Sequence, residues 1–294
     1  MGKAPTPEEQ INAIIELALA EDLGQGDATS EILIPPELTG RATIAAKAAG
    51  ILAGVETAGK VFLKVDPSLT FTVLSKDGTT VRPGDKIAAV GGKVLSILKA
   101  ERTALNFLQR LSGVASLTAK YVAETRGLET YIADTRKTTP GLRILEKHAV
   151  SMGGGRNHRL HLGDGILIKD NHLAALRATG LSLKDIVARA KKNAPHGLKV
   201  EVEVTSIAEA REAAGAGADI IMLDNMRPDE MRQVVQALKG KVKIEASGGI
   251  NLSNVRQAAL TGVDFISIGA LTHSPPALDI SLEFDPDAFK LVSL

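Results

Sequence analysis

Short apolar runs alternating with helical stretches fill the chain from about residue 129 onward, and they predict a parallel sheet. The strand-like runs lie at 129–133, 166–169, 199–204, 219–223, 243–246 and 264–268. The last four begin at intervals of about twenty to twenty-four residues, enough for one helix in each interval. Residues 217–223 (GADIIML) are echoed two units later by 262–268 (GVDFISI). Regular βα units in this number suit an α/β barrel, with a doubly wound open sheet as the alternative. No strand in the set is followed by a Gly-rich dinucleotide fingerprint, which counts against a Rossmann site.

The first part of the chain has a different texture. Thr6-Pro7-Glu8-Glu9 is a helix start, and Ile11, Ile14, Ile15, Ala18 and Leu19 recur behind it at helical spacing. Asp22 to Asp27 reads as a flexible acidic turn. Residues 41–48 and 69–74 read as strands, with an apolar helix over 55–65 between them. Asp77-Gly78 and Pro83-Gly84-Asp85 are turn chemistry. These segments predict an α+β unit with a small antiparallel sheet. A helix over 97–111 follows, with Leu98, Leu105, Leu108 and Leu111 on its buried side. Ser112-Gly113 is expected to end it, and a second helix to run from 114 to about 125, so the domain boundary falls near Gly113.

Composition narrows the partners. The 294 residues carry a formal charge of +1 and only 3% aromatic side chains, which argues against a nucleic-acid partner. Cysteine is absent, so thiolate catalysis, disulfides and cysteine-ligated metals are excluded. The first apolar stretch, 11–20, is short and contains Glu16, and no later run has the length of a membrane span. No membrane role is expected, and the chain reads as cytoplasmic.

Charge then marks one end of the predicted sheet. Val200, Val202 and Val204 share one parity and should face helices, while Glu201 and Glu203 point inward, Glu203 nearer the mouth. Asp224-Asn225 ends the next strand, Lys169-Asp170-Asn171-His172 an earlier one, and Lys243, Glu245 and Ser247 repeat the inward parity on a later one. The plain alternative is an ion-pair network that fills the lumen; a common strand end favours the mouth for the set. Ser247-Gly248-Gly249 and Gly269-Ala270 follow the last strands, and small residues there let backbone N–H groups approach a phosphate. Arg136, Lys137, His158 and Arg159 flank Gly- or Pro-rich loops beside that mouth and can clamp carboxylate or phosphate. Arg143, Lys147 and Arg156 read as surface charges, and His148 and His161 as ordinary helix or loop residues. No pair of histidines has zinc spacing. A cationic cup, inward carboxylates and a phosphate loop suit transfer of a phosphorylated group with a divalent cation better than acyl transfer.

The segments 134–143 (DTRKTTPGLR), 153–159 (GGGRNHR), 168–172 (IKDNH), 221–225 (IMLDN) and 245–250 (EASGGI) resemble the quinolinate phosphoribosyltransferase family. So do 21–29 (EDLGQGDAT) and 101–113 (ERTALNFLQRLSG), in the family's order. Gly113-Val114-Ala115-Ser116 departs conservatively from the family's Gly-Ile-Ala-Thr. The resemblance implies an α/β fold: an N-terminal open α/β sandwich over 1–113, an incomplete parallel α/β barrel of about six or seven strands over 114–272, and a C-terminal segment, 273–294, returning to the sandwich. It implies that quinolinate and 5-phosphoribosyl 1-pyrophosphate, with Mg2+, give nicotinate mononucleotide, pyrophosphate and carbon dioxide in de novo NAD synthesis. Carried over by position, Arg136, Lys137, His158, Arg159 and Lys169 bind the dicarboxylate. Glu203 and Asp224 take the ribose hydroxyls and the metal, and Ser247, Gly248, Gly249, Gly269 and Ala270 take the 5′-phosphate. Lys137 or Lys169 would serve C2. The family forms dimers with shared sites, in some members hexamers, and Arg102 matches the residue lent to the neighbouring subunit. A phosphoribosyltransferase for nicotinate, or a barrel that only binds phosphorylated metabolites, are the competing readings.

Overall fold

Helix α1 (Pro7–Leu23) begins at a capping box: the Thr6 hydroxyl accepts from Glu9 N, and the Glu9 carboxylate accepts from Thr6 N. Two free donors of the helix end are thereby satisfied. This computed structural model describes residues 5–291; 1–4 and 292–294, the ends of the predicted first and last segments, lie outside them. Ile15 and Leu19 are buried, and Ile11, Ile14 and Ala18 half-buried. The acidic turn is shorter than expected. Asp27 accepts from Ser30 N at 2.9 Å and caps α2 (Ala28–Leu33), a helix too short to register as a periodic pattern.

Then follow β1 (Leu38–Ala46), β2 (Gly50–Ile51), α3 (Val55–Val65), β3 (Thr70–Val73), β4 (Thr80–Val81), β5 (Lys86–Lys93) and α4 (Val94–Glu124). Strand β5 escaped the sequence reading. Its two glycines weaken the strand pattern, yet Ile87, Ala88, Ala89 and Val90 are all buried and the strand lies between β1 and β3.

Helix α4 corrects the expected break at Ser112-Gly113, since it runs unbroken through both residues. Ser112 Oγ accepts from Ala53 N at 3.1 Å. A Cβ on Gly113 would stand 2.1 Å from the Pro276 carbonyl oxygen. The small residues permit close approach; they do not end the helix. Leu105, Leu108 and Leu111 are buried as expected, but Ile97 takes the inner position assigned to Leu98, which is half-buried.

The remaining chain supplies β6 (Tyr131–Ala133), α5 (Arg143–Met152), β7 (Ile166–Ile168), α6 (Asp170–Arg177), α7 (Leu183–Asn193), β8 (Val200–Val204), α8 (Ile207–Gly215), β9 (Ile220–Asp224), α9 (Pro228–Leu238), β10 (Lys243–Ser247), α10 (Val255–Ala259), β11 (Phe265–Ser267), α11 (Ala270–His273), β12 (Ile280–Phe284) and β13 (Lys290–Leu291). Six strands form one sheet in the order β6-β11-β10-β9-β8-β7, with all neighbouring strands parallel. The first strand in sequence pairs with the last, while β6 and β7 do not pair. This is an incomplete α/β barrel with one open seam, not an open doubly wound sheet. Val200, Val202 and Val204 are at most 1% exposed, each contributing about 1.5–3 kcal/mol of apolar burial.

The chain divides into two compact units. One comprises residues 1–119, 138–154 and 274–294; the other comprises 120–137 and 155–273. Within the first, β12 pairs antiparallel with β1, completing the order β12-β1-β5-β3. Residues 138–154 belong to this unit although the expected partition gave them to the barrel. Arg110 explains part of this: Nη2 donates to Glu146 Oε1 at 2.8 Å and to Thr139 Oγ1 at 3.0 Å, and Glu146 is fully buried. His148 bonds Asp77 at 2.8 Å. Lys147, expected at the surface, is 3% exposed and hence a buried residue of α5; the 134–152 region is too rich in charge for its burial to show in the pattern.

Candidate active site

The C-terminal ends of the barrel strands open into a cleft of about 590 Å³ lined by residues from four of the six βα connections. Strand alternation does most of the placing. On β8 the valines turn out and Glu201 and Glu203 turn in, as the parity predicts. Glu203 stands in register with Met222, and Ser247 with Asp224. Lys243 departs from the expected mouth. It opens β10 at the other end, is 70% exposed, and pairs with Asp264 at 2.5 Å. Parity gave its direction but not its level along the strand.

Arg136, Lys137, His158, Arg159, Lys169, Glu203, Asp224, Ser247, Gly248 and Gly249 all line this one cleft. Arg136 and Lys137 lie just beyond β6. Their loop is held by the Thr272 hydroxyl, which donates to Lys137 O at 2.9 Å, and by a turn in which Lys137 N donates to Thr135 Oγ1 at 3.0 Å. Asp134, fully buried, accepts from His158 N at 2.8 Å and ties this loop to the second basic cluster. Arg136 Nε is buried and has no hydrogen-bond partner. Burial and the charge of Arg136 both lower the pKa of Arg159. A buried donor without an acceptor, beside mutually repelling guanidinium groups, calls for an anion.

Behind the cations sits a buried acid pair. His158 Nε2 lies 3.3 Å from Glu201 Oε2 and 3.2 Å from Glu245 Oε2. Burial alone would lower the imidazole pKa, but hydrogen bonds to the two carboxylates outweigh it and push it up to about 10. The Arg159 backbone N–H, 2.9 Å from Nδ1, favours the neutral ring instead. Two charge-assisted bonds outweigh one neutral one, and the net shift is upward. Burial raises Glu245, and the neighbouring charge of Glu201 adds to the rise. Glu201, opposed by burial, is nonetheless lowered by its bonds with His158 and Glu245.

Across the cleft, Glu203 is raised by burial and then by the charge of Asp224, with Lys169, 4.0 Å away, opposing. Two hard carboxylates facing each other suit a divalent cation that keeps most of its waters. Among the described residues, His158, Glu201 and Glu245 also bring three donor atoms within 4.8 Å of one another. There the His158 bonds already engage both carboxylates.

The glycine loop is built for close approach. Gly248 and Gly249 have φ of +84° and +62°, and a Cβ on Gly248 would fall 2.6 Å from the Asn225 side chain. Asn225 itself adopts φ +53°, donates its backbone N–H to Ser247 O at 2.9 Å, and donates from Nδ2 to Asp224 Oδ2 at 3.0 Å. Gly269 and Ala270 do not line the cleft; Gly269 packs against Lys137, 3.0 Å from the position of an added Cβ to Cδ. Arg102 is exposed on α4 in the other unit. Arg156 is exposed, as expected of a surface charge, with its guanidinium 4.2 Å over the Tyr131 ring. Arg143 is structural, donating from Nε to Thr138 Oγ1 at 3.0 Å. His161 bonds Asp164 at 2.6 Å, which fits its expected loop role.

Asn225, Glu245 and Ser267 also line the cleft. Sequence reasoning had set Glu245 inward without giving it a role. Asn225 was visible as the residue after Asp224, and its left-handed backbone is the signal that separates it from an ordinary turn residue. Ser267 carried no signal except its parity within 264–268.

Two family models match the chain: the N-terminal domain of quinolinate phosphoribosyl transferase over residues 27–112 and its C-terminal domain over 114–283. A Bacillus subtilis protein named probable nicotinate-nucleotide pyrophosphorylase [carboxylating] is 42% identical, with 93% of each chain covered. A Nicotiana tabacum protein named quinolinate phosphoribosyltransferase [decarboxylating] 2a, mitochondrial, is 41% identical over 96% of this chain and 84% of its own. The crystal structure of NadC from Streptococcus pyogenes superposes with a TM-score of 0.89 at 41% identity, covering 99% of this chain and all of that one.

Proposed function

The chain belongs to the quinolinate phosphoribosyltransferase family, and from that membership we propose how its own residues divide the family's chemistry. The reaction transfers the phosphoribosyl group of 5-phosphoribosyl 1-pyrophosphate to quinolinate with loss of carbon dioxide, and gives nicotinate mononucleotide for de novo NAD synthesis. Arg136, Lys137, His158, Arg159 and Lys169 receive the dicarboxylate. The observation that carries this assignment is the buried Arg136 Nε, which lacks an acceptor among cations that repel each other. Ser247, Gly248 and Gly249 receive the 5′-phosphate, with support from the positive φ values of the two glycines, a backbone that side chains rarely adopt and that leaves room for close approach. Gly269 and Ala270, carried over as phosphate residues, stand outside the cleft lining, and Gly269 serves the site by giving Lys137 room.

Glu203 and Asp224 hold the ribose hydroxyls and Mg2+; their mutual repulsion supports that role. When bound, the metal would neutralise charge on the pyrophosphate leaving group. Departure of pyrophosphate develops positive charge on the ribose, so the protein's contribution is to align the pyridine nitrogen and hold the two reactants together. The ribosylated nitrogen then stabilises the carbanion formed at C2 as carbon dioxide leaves. Lys137 or Lys169 stabilises or protonates that carbon. If either Lys→Ala variant loses ribosyl transfer with no build-up of undecarboxylated adduct, that lysine does not act at C2.

Arg102 completes the site of a second copy in a homodimer, of which a hexamer would be a higher assembly. Work in the cytoplasm belongs to the same proposal, supported by likeness to the bacterial relative; the tobacco relative is named mitochondrial. The deciding assay supplies quinolinate or nicotinate with phosphoribosyl pyrophosphate and Mg2+, and measures carbon dioxide and mononucleotide. Turnover of quinolinate with equal yields of both is expected. Activity on nicotinate alone, or binding without turnover, overturns the reading.

A further inference from the structure

Ser267 closes β11 with its side chain 2% exposed, between the two halves of the cleft. Its hydroxyl donates to Glu245 Oε1, and its oxygen lies 3.0 Å from Ser247 Oγ. The other oxygen of Glu245 is the one bonded to His158. An unbroken chain of hydrogen bonds therefore runs from His158 through Glu245 and Ser267 to Ser247. His158 belongs to the proposed dicarboxylate site and Ser247 to the proposed phosphate loop.

The chain has a direction, because each serine has one proton. With Ser267 donating to Glu245, the only proton that can fill the contact between the serines is that of Ser247, which must point inward. A phosphate arriving at the loop draws the Ser247 proton outward. Ser247 Oγ is then open to accept from Ser267, whose proton swings away from Glu245. Glu245 is fully buried and an acceptor that loses one donor leans harder on those that remain, so its bond to His158 carries more and the ring is held on its carboxylate partner. The two hydroxyl arrangements form a two-state element that both ligands can bias.

We propose that Ser267 is a positioning residue that couples the phosphate loop to His158, so that a bound 5′-phosphate and a bound pyridine dicarboxylate each tighten the other. The idea rests on the site assignment above. It goes beyond that assignment by naming a buried residue in contact with neither reacting atom and by giving the sites a reciprocal linkage.

The test measures binding of quinolinate by calorimetry, alone and with saturating ribose 5-phosphate, a probe that carries the phosphate but has no leaving group. In the unaltered protein the probe is expected to tighten quinolinate about fivefold, and quinolinate to tighten the probe by the same factor. In Ser267→Ala each ligand alone should bind within about twofold of normal, while the coupling falls to about one. Ser267→Cys keeps the volume and a weak donor, and should retain a coupling between the two; it serves if the alanine variant does not fold. Coupling that survives undiminished in either variant, or that is absent from the unaltered protein, overturns the proposal. Failure of quinolinate to bind the unaltered protein under any condition would instead overturn the site assignment.

Discussion

Glu245 Oε2 lies 3.2 Å from His158 Nε2, and Glu245 is wholly shielded from solvent. With Glu201 on the same ring nitrogen, the pair pushes the imidazole up to about 10. A group whose pKa is raised keeps its proton as pH climbs, so His158 stays cationic through the neutral range. Glu245→Gln removes one carboxylate and returns the ring toward its ordinary value, so its charge is lost earlier. The KM for quinolinate should be flat from about pH 6.5 to 8.5 in the unaltered enzyme and should climb about fivefold over that range in the variant. Parallel profiles in the two proteins would show that Glu245 does not set the charge of His158.

Asp224 and Glu203 repel each other across the cleft, and a bound cation would remove that repulsion. Asp224→Asn should therefore raise the Mg2+ concentration needed for half-activity and lower kcat/KM for phosphoribosyl pyrophosphate by about 100-fold, equivalent to about 2.7 kcal/mol. Quinolinate binding in the absence of metal, followed by calorimetry, should hardly change. An unaltered Mg2+ requirement would remove Asp224 from the metal site.

Gly248 combines a left-handed backbone with a Cβ position 2.6 Å from the Asn225 side chain. Gly248→Ala must strain the turn and displace Asn225, which also bonds Asp224. The expected result is a rise of about tenfold in KM for phosphoribosyl pyrophosphate, roughly 1.4 kcal/mol, with the chain still folded. An unchanged KM would mean that phosphate does not bind against this loop.

Arg102 offers a test of shared sites that needs no structure of the assembly. Arg102→Ala and Arg136→Ala chains should each be nearly inactive. Mixed and allowed to exchange, they should regain up to about a quarter of normal activity, because random pairing makes half the assemblies mixed, each with one intact site. Absence of recovery, with mixed dimers demonstrated by mass spectrometry of tagged chains, would refute sharing.

Much of the barrel was legible because its strands obey a period of two: Val200, Val202 and Val204 against Glu201 and Glu203 give both the element and its facing. The cations of the cleft were legible by their density around glycine and proline. Three kinds of information were not. Level along a strand is invisible to parity, which is why Lys243 was placed at the wrong end. Burial of a charged residue depends on distant partners, so Lys147 looked like surface. Glycine has several uses in a chain, and sequence does not say which one applies.

Gly113 makes that last point measurable. It lies inside α4 with a Cβ position 2.1 Å from the Pro276 carbonyl oxygen, so Gly113→Ala must push backbone away from backbone. Gly215, at the end of α8, has nothing within 4 Å of its Cβ position and no left-handed φ. If helix propensity alone mattered, alanine would stabilise both sites, by up to about 1 kcal/mol each. Packing predicts opposite signs. Gly113→Ala should destabilise by about 2 kcal/mol or more, whereas Gly215→Ala should be neutral or stabilising. Denaturant midpoints at constant m-value decide between them. A stabilised Gly113→Ala protein would mean that this glycine is there to interrupt the helix after all, and that the close approach to Pro276 relaxes without cost.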